Sequence, residues 1–352
     1  MDSISSYFST TSTQPLFIQG DAYSVLKKFP DRCINMAITS PPYWGKREYD
    51  NGGIGLEKEH DEFIERLLEI IYEIRRVLTE DGSFWLDIGD TYRKKSLIGI
   101  PWRLAIRMMD EQKWILRNEI IWNKVKGGLD NTKDKLGNVH EPIFHFVKNQ
   151  KYYYDADAIR NNPQKAKVKN GKVISATGVS GVRYRRQIEL STALSNMEKQ
   201  EAYSALDDIL KQVSENRISD FRMIIRGQQR TTHSNSEKVS GRAKELRDKG
   251  YYFLKYHPKG SKPRDVWDII PEDTQNRKSH FAPFPEDICK IPILATCPQS
   301  GIVLDPFMGT GTSMIVANAL NRKSIGIDIS EDYIELAKER IPKQLSLEEN
   351  YV

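Results

Sequence analysis

"GIVLDPFMGTGTSMIVANALNRKSIGIDISEDYIELAKER", residues 301–340, reads as strand, glycine loop, helix, strand, acid and helix, in that order. The apolar run ahead of Asp305 is short enough for a buried strand, and Gly309 and Gly311 lie where a backbone can bend and come close to a ligand. The helix is expected to begin at Thr312 or Ser313, so that its first N–H groups face the same crevice. Asp328, 19 residues beyond Gly309, ends the next strand, where an acid meets a ribose in nucleotide-binding βαβ units. Two other nucleotide readings fit less well. A P-loop needs Gly-Lys-Ser/Thr, and "GTGTS" has no lysine. A dinucleotide fingerprint needs a third glycine, which "GTGTSM" lacks.

The same alternation runs through the first 150 residues. "LFIQGD" (16–21) and "CINMAIT" (33–39) read as buried strands that stop at loops. Apolar residues at 63, 64, 67, 68, 71, 74, 77 and 78, with acids early, bases late and a glycine at the end, predict an amphipathic helix over 60–82. A strand at 83–90, a helix at 100–112 and strands at 114–124 and 141–149 follow. This is an α/β pattern with a mostly parallel, doubly wound sheet. From about 155 to 262 the composition turns to Lys, Arg, Gly, Asn and Ser with little periodicity, which marks an insert. It holds one helical candidate (204–217) and a basic cluster (220–250). The expected division is a polar, loose tail at 1–14, a first half-domain at 15–160, the insert at 161–262, a second half-domain at 263–343 and a C-terminal tail at 344–352.

Composition narrows the classes. Hydrophobic residues make up 39% and charged residues 29%, and no apolar run nears the roughly 18 residues of a membrane span. The opening has neither a basic start nor an apolar core, so a cytoplasmic protein is expected. Cys33, Cys289 and Cys297 lack C-x-x-C spacing and paired histidines, which argues against disulfides and against a metal site. The net charge of +5 is unevenly spread: residues 151–262 carry 23 Lys and Arg against 12 Asp and Glu, while both flanks are slightly acidic. Such a block suits a polyanion, most often nucleic acid, or is merely a solvated face.

"ITSPPYWG" (38–45) makes poor helix and poor strand. Pro41 and Pro42 have no N–H, and each residue before a proline is pushed to an extended conformation, so the corner is stiff. It offers the Ser40 hydroxyl and nearby carbonyls as fixed acceptors, with Tyr43 and Trp44 as flat apolar surfaces. That suits a planar ligand bearing an NH₂ group, whose nitrogen becomes nucleophilic only if its hydrogens are held by well-placed acceptors.

Together, "TSPPYW" (39–44), "LDPFMGTGT" (304–312) and "GIDIS" (326–330) strongly resemble the amino-methyltransferases of DNA. That family moves the methyl of S-adenosylmethionine to N6 of adenine or N4 of cytosine. The catalytic motif precedes the cofactor motif with a basic insert between, an order similar to the circularly permuted β subgroup, in which the insert recognises the target. The resemblance covers about 1–160 and 263–340 and implies a Rossmann-like methyltransferase sheet. It implies that Ser40 and the Pro41 carbonyl, with Pro42 completing the corner, accept from the target amine while Tyr43 stacks on the base. Asp305, Phe307 and Gly309, with Pro306 and Thr310 in the same loop, would line the methionine end of the cofactor; Asp328 would hold the ribose, Asp21 would face the adenine and Phe281 would close the side. The base would be flipped from double-stranded DNA, without a metal. Arg183, Arg185, Arg186, Arg222, Arg226 and Arg230 of the insert are the DNA-binding candidates. Serine in the first place of the tetrapeptide is, in that family, usual for N4-cytosine enzymes, so the resemblance implies cytosine N4 over adenine N6, with a cognate restriction endonuclease as the expected functional partner. The remaining alternatives are methyl transfer to RNA or protein, and a catalytically silent DNA-binding protein.

Overall fold

The computed structural model describes residues 2–46, 53–126, 132–169, 172–176, 178–227, 241–271 and 285–348. Contacts divide the chain into one unit of residues 1–158 with 264–352, and a second of 159–263.

The first unit is built on a sheet whose strands are β1 (Leu16–Gln19), β2 (Ile34–Thr39), β3 (Leu78–Asp87), β4 (Ile115–Asn123), β5 (His140–Val147), β6 (Val266–Asp268), β7 (Ile302–Asp305) and β8 (Lys323–Asp328). Their order is β1-β8-β7-β2-β3-β5-β4-β6. Every neighbouring pair is parallel except β3 with β5 and β5 with β4. Alternation along each strand sorts the core into two faces. Ala37, Phe84, Leu86, Phe144 and Phe146 pack with Phe63, Leu67, Ile71 and Leu104 from helices His60–Val77 and Ile100–Asp110. Met36, Ile38, Trp85 and Val303 pack with Ile288, Ile293 and Val316 from helices Glu286–Thr296 and Thr312–Ala319. From β7 the chain steps one way to β8, beyond which β1 lies, and from β2 the other way to β3. The carboxyl ends of β7 and β2 therefore flank the point where strand order reverses, the usual place for a ligand in an open α/β sheet.

Three expectations need correction. The helix expected over 60–82 ends at Val77, because Leu78 enters the sheet opposite Ile34. The Val77 carbonyl accepts from Cys33 N (2.8 Å) and that of Leu78 from Lys148 Nζ (2.8 Å), so the sheet takes the groups with which the helix would have continued. The segment 1–14 is not a loose tail. Residues Asp2–Ser9 form a helix, Tyr7 is buried, its hydroxyl donates to the Ser324 carbonyl (2.9 Å), and Lys323 Nζ donates to the carbonyls of Tyr7 (2.7 Å) and Thr10 (2.8 Å). At the other end, helix Glu331–Glu348 runs past the expected boundary at 343.

The second unit has its own core, in which Tyr184, Ile188, Leu206, Ile209, Phe221 and Tyr251 meet. The helical candidate at 204–217 belongs to a longer helix, Asn196–Ser214, which starts early because Ser195 and Glu198 form a reciprocal capping box. Helix Gly181–Glu189 and the antiparallel pair Asp220–Ile225 with Tyr251–Tyr256 complete the packing.

Tyr7→Phe removes a buried hydrogen bond and is expected to cost about 1 kcal/mol of stability. Urea denaturation checks this, and an unchanged midpoint would return the segment to a loose tail.

Candidate active site

Asp305 ends β7 beside the end of β2, where Val303 and Leu304 face Met36 and Ala37. Its buried carboxylate accepts from Thr39 Oγ1 (2.6 Å) and Phe307 N (3.1 Å) at Oδ1, and from Ser313 Oγ (2.5 Å) at Oδ2. One acid thus ties the residue before Ser40 to the glycine loop and to the helix that follows it. Burial pushes this carboxyl up to about 6, partly offset by the three donors.

The glycine loop is shaped by its backbone. Gly309 (φ 51°) and Gly311 (φ 76°) are left-handed, and a Cβ at Gly311 would lie 2.9 Å from that of Ala337. Asp328 accepts from Gly309 N (2.9 Å) and Ser330 N (2.9 Å), and burial raises its carboxyl against those bonds. Pro306 and Thr310 are buried, and Phe307 is half-buried against the core. The Thr310 carbonyl and hydroxyl both accept from Arg340 (2.8 and 2.6 Å). On the neighbouring strand Gly20 N donates to the Asp328 carbonyl (2.9 Å), which brings the exposed Asp21 beside it. Asp21 also caps helix Ala22–Leu26, accepting from Ser24 N (2.9 Å). Phe281 lies outside the described residues.

At the corner, Pro41 is buried while Ser40, Pro42 and Tyr43 are half-buried. Gly89 admits the Tyr43 ring, since a Cβ there would sit 2.4 Å from Tyr43 Cε2. Trp44 does not present the flat surface expected of it. It is buried, its Nε1 donates to the Glu57 carbonyl (2.8 Å), and its own carbonyl accepts from Thr91 Oγ1 (2.9 Å), so it anchors the corner from beneath. Ser40 Oγ lies 3.3 Å from the Tyr43 hydroxyl, which lies 3.1 Å from Glu141 Oε2, while Lys124 Nζ meets Glu141 Oε1 at 2.6 Å. Asp87, buried at the end of β3, leans on the same hydroxyls, and its Oδ1 has no hydrogen-bond partner among the described residues. Burial first, and then the charge of Glu141, push the Asp87 carboxyl well above its ordinary range. Asp87, Lys124 and Glu141 were not singled out from the sequence. Asp87 carried the same signal as Asp305, an acid at the end of a buried strand, in "LDIGD" (86–90). Nothing local marks Lys124 or Glu141.

The insert arginines separate into three sets. Arg183, Arg186 and Arg222 are exposed, the first two on the outer face of a helix that buries Tyr184 and Ile188. Arg185 is exposed but ion-paired with Asp207. The Arg226 guanidinium is held within the unit. It donates to the carbonyls of Ala193 (2.7 Å) and Arg247 (3.0 Å) and pairs with Glu198 (3.0 Å). Arg230 lies outside the described residues.

Because the Asp305 carboxyl is raised from 3.8 to about 6 on folding, the stability that it contributes is full below pH 3.8 and lost as pH rises through 6. Urea denaturation of wild type and Asp305→Asn across that window is expected to show the wild-type advantage shrinking with pH. A flat or growing difference would contradict the burial argument.

Comparison with known proteins meets this geometry from outside. A family model described as DNA methylase, N6_N4_Mtase, matches residues 34–339. The Type II methyltransferase M.SfiI of Streptomyces fimbriatus is 30% identical, over 90% of this chain and 88% of its own. M.SmaI of Serratia marcescens is 28% identical, over 92% and 89%. Among solved structures, PvuII DNA methyltransferase (cytosine-N4-specific) shares the fold at a TM-score of 0.55 and 17% identity, covering 95% of this chain and 92% of that one. A Thermus thermophilus protein complexed with S-adenosyl-L-methionine shares it at 0.51 and 20%, covering 94% and 95%. The chain belongs to the N6_N4_Mtase family of DNA methylases.

Proposed function

We propose that this protein is the modification methyltransferase of a restriction system, moving a methyl group from S-adenosylmethionine to N4 of a cytosine flipped out of double-stranded DNA. The observation that carries the reading is the Thr39–Asp305 hydrogen bond, which makes the amine-binding corner and the glycine loop one site. The cofactor suits the loop chemically. Two acids at adjoining strand ends, a third beside them and a glycine turn without the P-loop lysine favour a cationic, ribose-bearing ligand that has no phosphate.

S-adenosylmethionine supplies an electrophilic methyl on a sulfonium leaving group. Asp305, Pro306, Phe307, Gly309 and Thr310 shape its methionine end, Asp328 takes the ribose hydroxyls, and Asp21 borders the adenine. Ser40 and the Pro41 carbonyl accept the two amine hydrogens, which favours the pyramidal nitrogen that attack requires, and Tyr43 packs on the base. Extraction of the base from the stack costs about a few kcal/mol. Arg183, Arg186 and Arg222 contact the DNA backbone. Cytosine N4 is favoured over adenine N6 by Ser40, a neutral acceptor in the first place of the tetrapeptide, and by the cytosine-N4 specificity of the PvuII enzyme, whose fold this chain shares.

Incubation with labelled S-adenosylmethionine and duplex DNA of diverse sequence, followed by nucleoside analysis, should yield N4-methylcytosine. N6-methyladenine instead would overturn the choice of base, and no product on any DNA would leave a silent DNA-binding protein. Ser40→Ala should slow transfer by about a hundredfold with cofactor affinity nearly intact. Asp328→Ala should weaken cofactor binding by about tenfold or more, and titration calorimetry finding the reverse would reject these roles. Neutralising Arg183 and Arg186 together should weaken DNA binding and reduce its logarithmic salt slope by about 2. An unchanged slope would place them away from phosphate.

A further inference from the structure

A hydroxyl can donate or accept, whereas a corner that holds an amine must only accept. The contacts around Ser40 settle which it does. Glu141 Oε1 is taken by the Lys124 ammonium (2.6 Å), and its Oε2 faces the Tyr43 hydroxyl (3.1 Å). A carboxylate engaged in an ion pair has no proton to give, and the Tyr43 hydroxyl donates to it. The Tyr43 oxygen is then an acceptor toward Ser40, 3.3 Å away, and the single proton of Ser40 is directed to Tyr43. Both lone pairs of Ser40 Oγ are left facing away from that bond.

We propose that Glu141 is a positioning residue that sets the direction of this chain, Lys124 to Glu141, Tyr43 to Glu141 and Ser40 to Tyr43, so that Ser40 meets the target amine as an acceptor only. The inference rests on the reading of the corner as the amine site. One further titratable group, Asp87, faces the chain. It lies against both hydroxyls, and burial favours its protonated form, which donates its own proton rather than competing with Glu141 for that of Tyr43. Lys124 is held over the Trp122 ring (4.8 Å) and ion-paired with Glu141 (2.6 Å). The chain gives a neutral serine the one-sided acceptor character that a carboxylate has by charge. The polarity can be reversed by a single atom. In Glu141→Gln the amide oxygen turns to Lys124 and the amide N–H₂ to Tyr43, so that the Tyr43 proton swings toward Ser40 and the Ser40 proton toward the amine.

The test uses the full-length enzyme, S-adenosylmethionine and any duplex that the wild type methylates. Glu141→Gln is expected to lower the single-turnover rate by about tenfold or more, the rate equivalent of one hydrogen bond, with cofactor affinity unchanged. In a Tyr43→Phe background, which has no relay, the same substitution should add no further loss. A second readout is independent of catalysis: with ¹³Cζ-labelled tyrosine, the resonance missing in Tyr43→Phe identifies Tyr43, and it should move in Glu141→Gln. Equal losses in both backgrounds, or an unmoved resonance in an active enzyme, would overturn the proposal. A resonance that moves in a protein that methylates no DNA would uphold the chain of bonds and sink the proposed function instead.

Discussion

The buried carboxylate of Asp305 is the point at which the two halves of the site are joined. Thr39, Phe307 and Ser313 all donate to it. Those donors come from the strand that carries the Pro-Pro corner, from the loop and from the helix after the loop. A charge held at this depth is tolerated only while such donors surround it, so the acid imposes their arrangement on one another. The same interaction explains how the Pro-Pro corner and the glycine loop, more than 260 residues apart in the chain, come together.

Around that junction the molecule spends rigidity where position matters. The Pro-Pro corner is stiff by covalent structure, Trp44 is pinned beneath it, and the Tyr43 ring rests on a glycine that leaves no room for a side chain. Across the sheet, antiparallel β5 delivers Glu141 to Tyr43, so the one strand that breaks the parallel pattern also completes the polar surroundings of Ser40.

Much of this was legible in the sequence because it is local. Strand, glycine turn and helix within 301–340, the acids at 305 and 328 and the stiffness at 40–43 each follow from a few consecutive residues. What was missed depends on partners distant in the chain. The helix at 60–77 stops where Leu78 is drawn to Ile34 and Lys148, which no periodicity within 60–82 could reveal. The opening polar residues are held by Ser324 and Lys323, about 300 positions away. The partners of Arg226, Glu198 and two carbonyls, lie about 20 to 30 positions away, and Lys124 and Glu141 gain meaning only by meeting Tyr43. Arg183 and Arg186, by contrast, have their outward place fixed by their spacing from Tyr184 and Ile188 on one short helix.

A structure of the protein with an unmethylated duplex carrying the site that it methylates and a non-reactive analogue of S-adenosylmethionine tests the central claim most directly. The expected result is a flipped cytosine with N4 about 3 Å from both Ser40 Oγ and the Pro41 carbonyl, and the analogue held between Asp305 and Asp328. A base left in the stack, or an amine held by other acceptors, would contradict it.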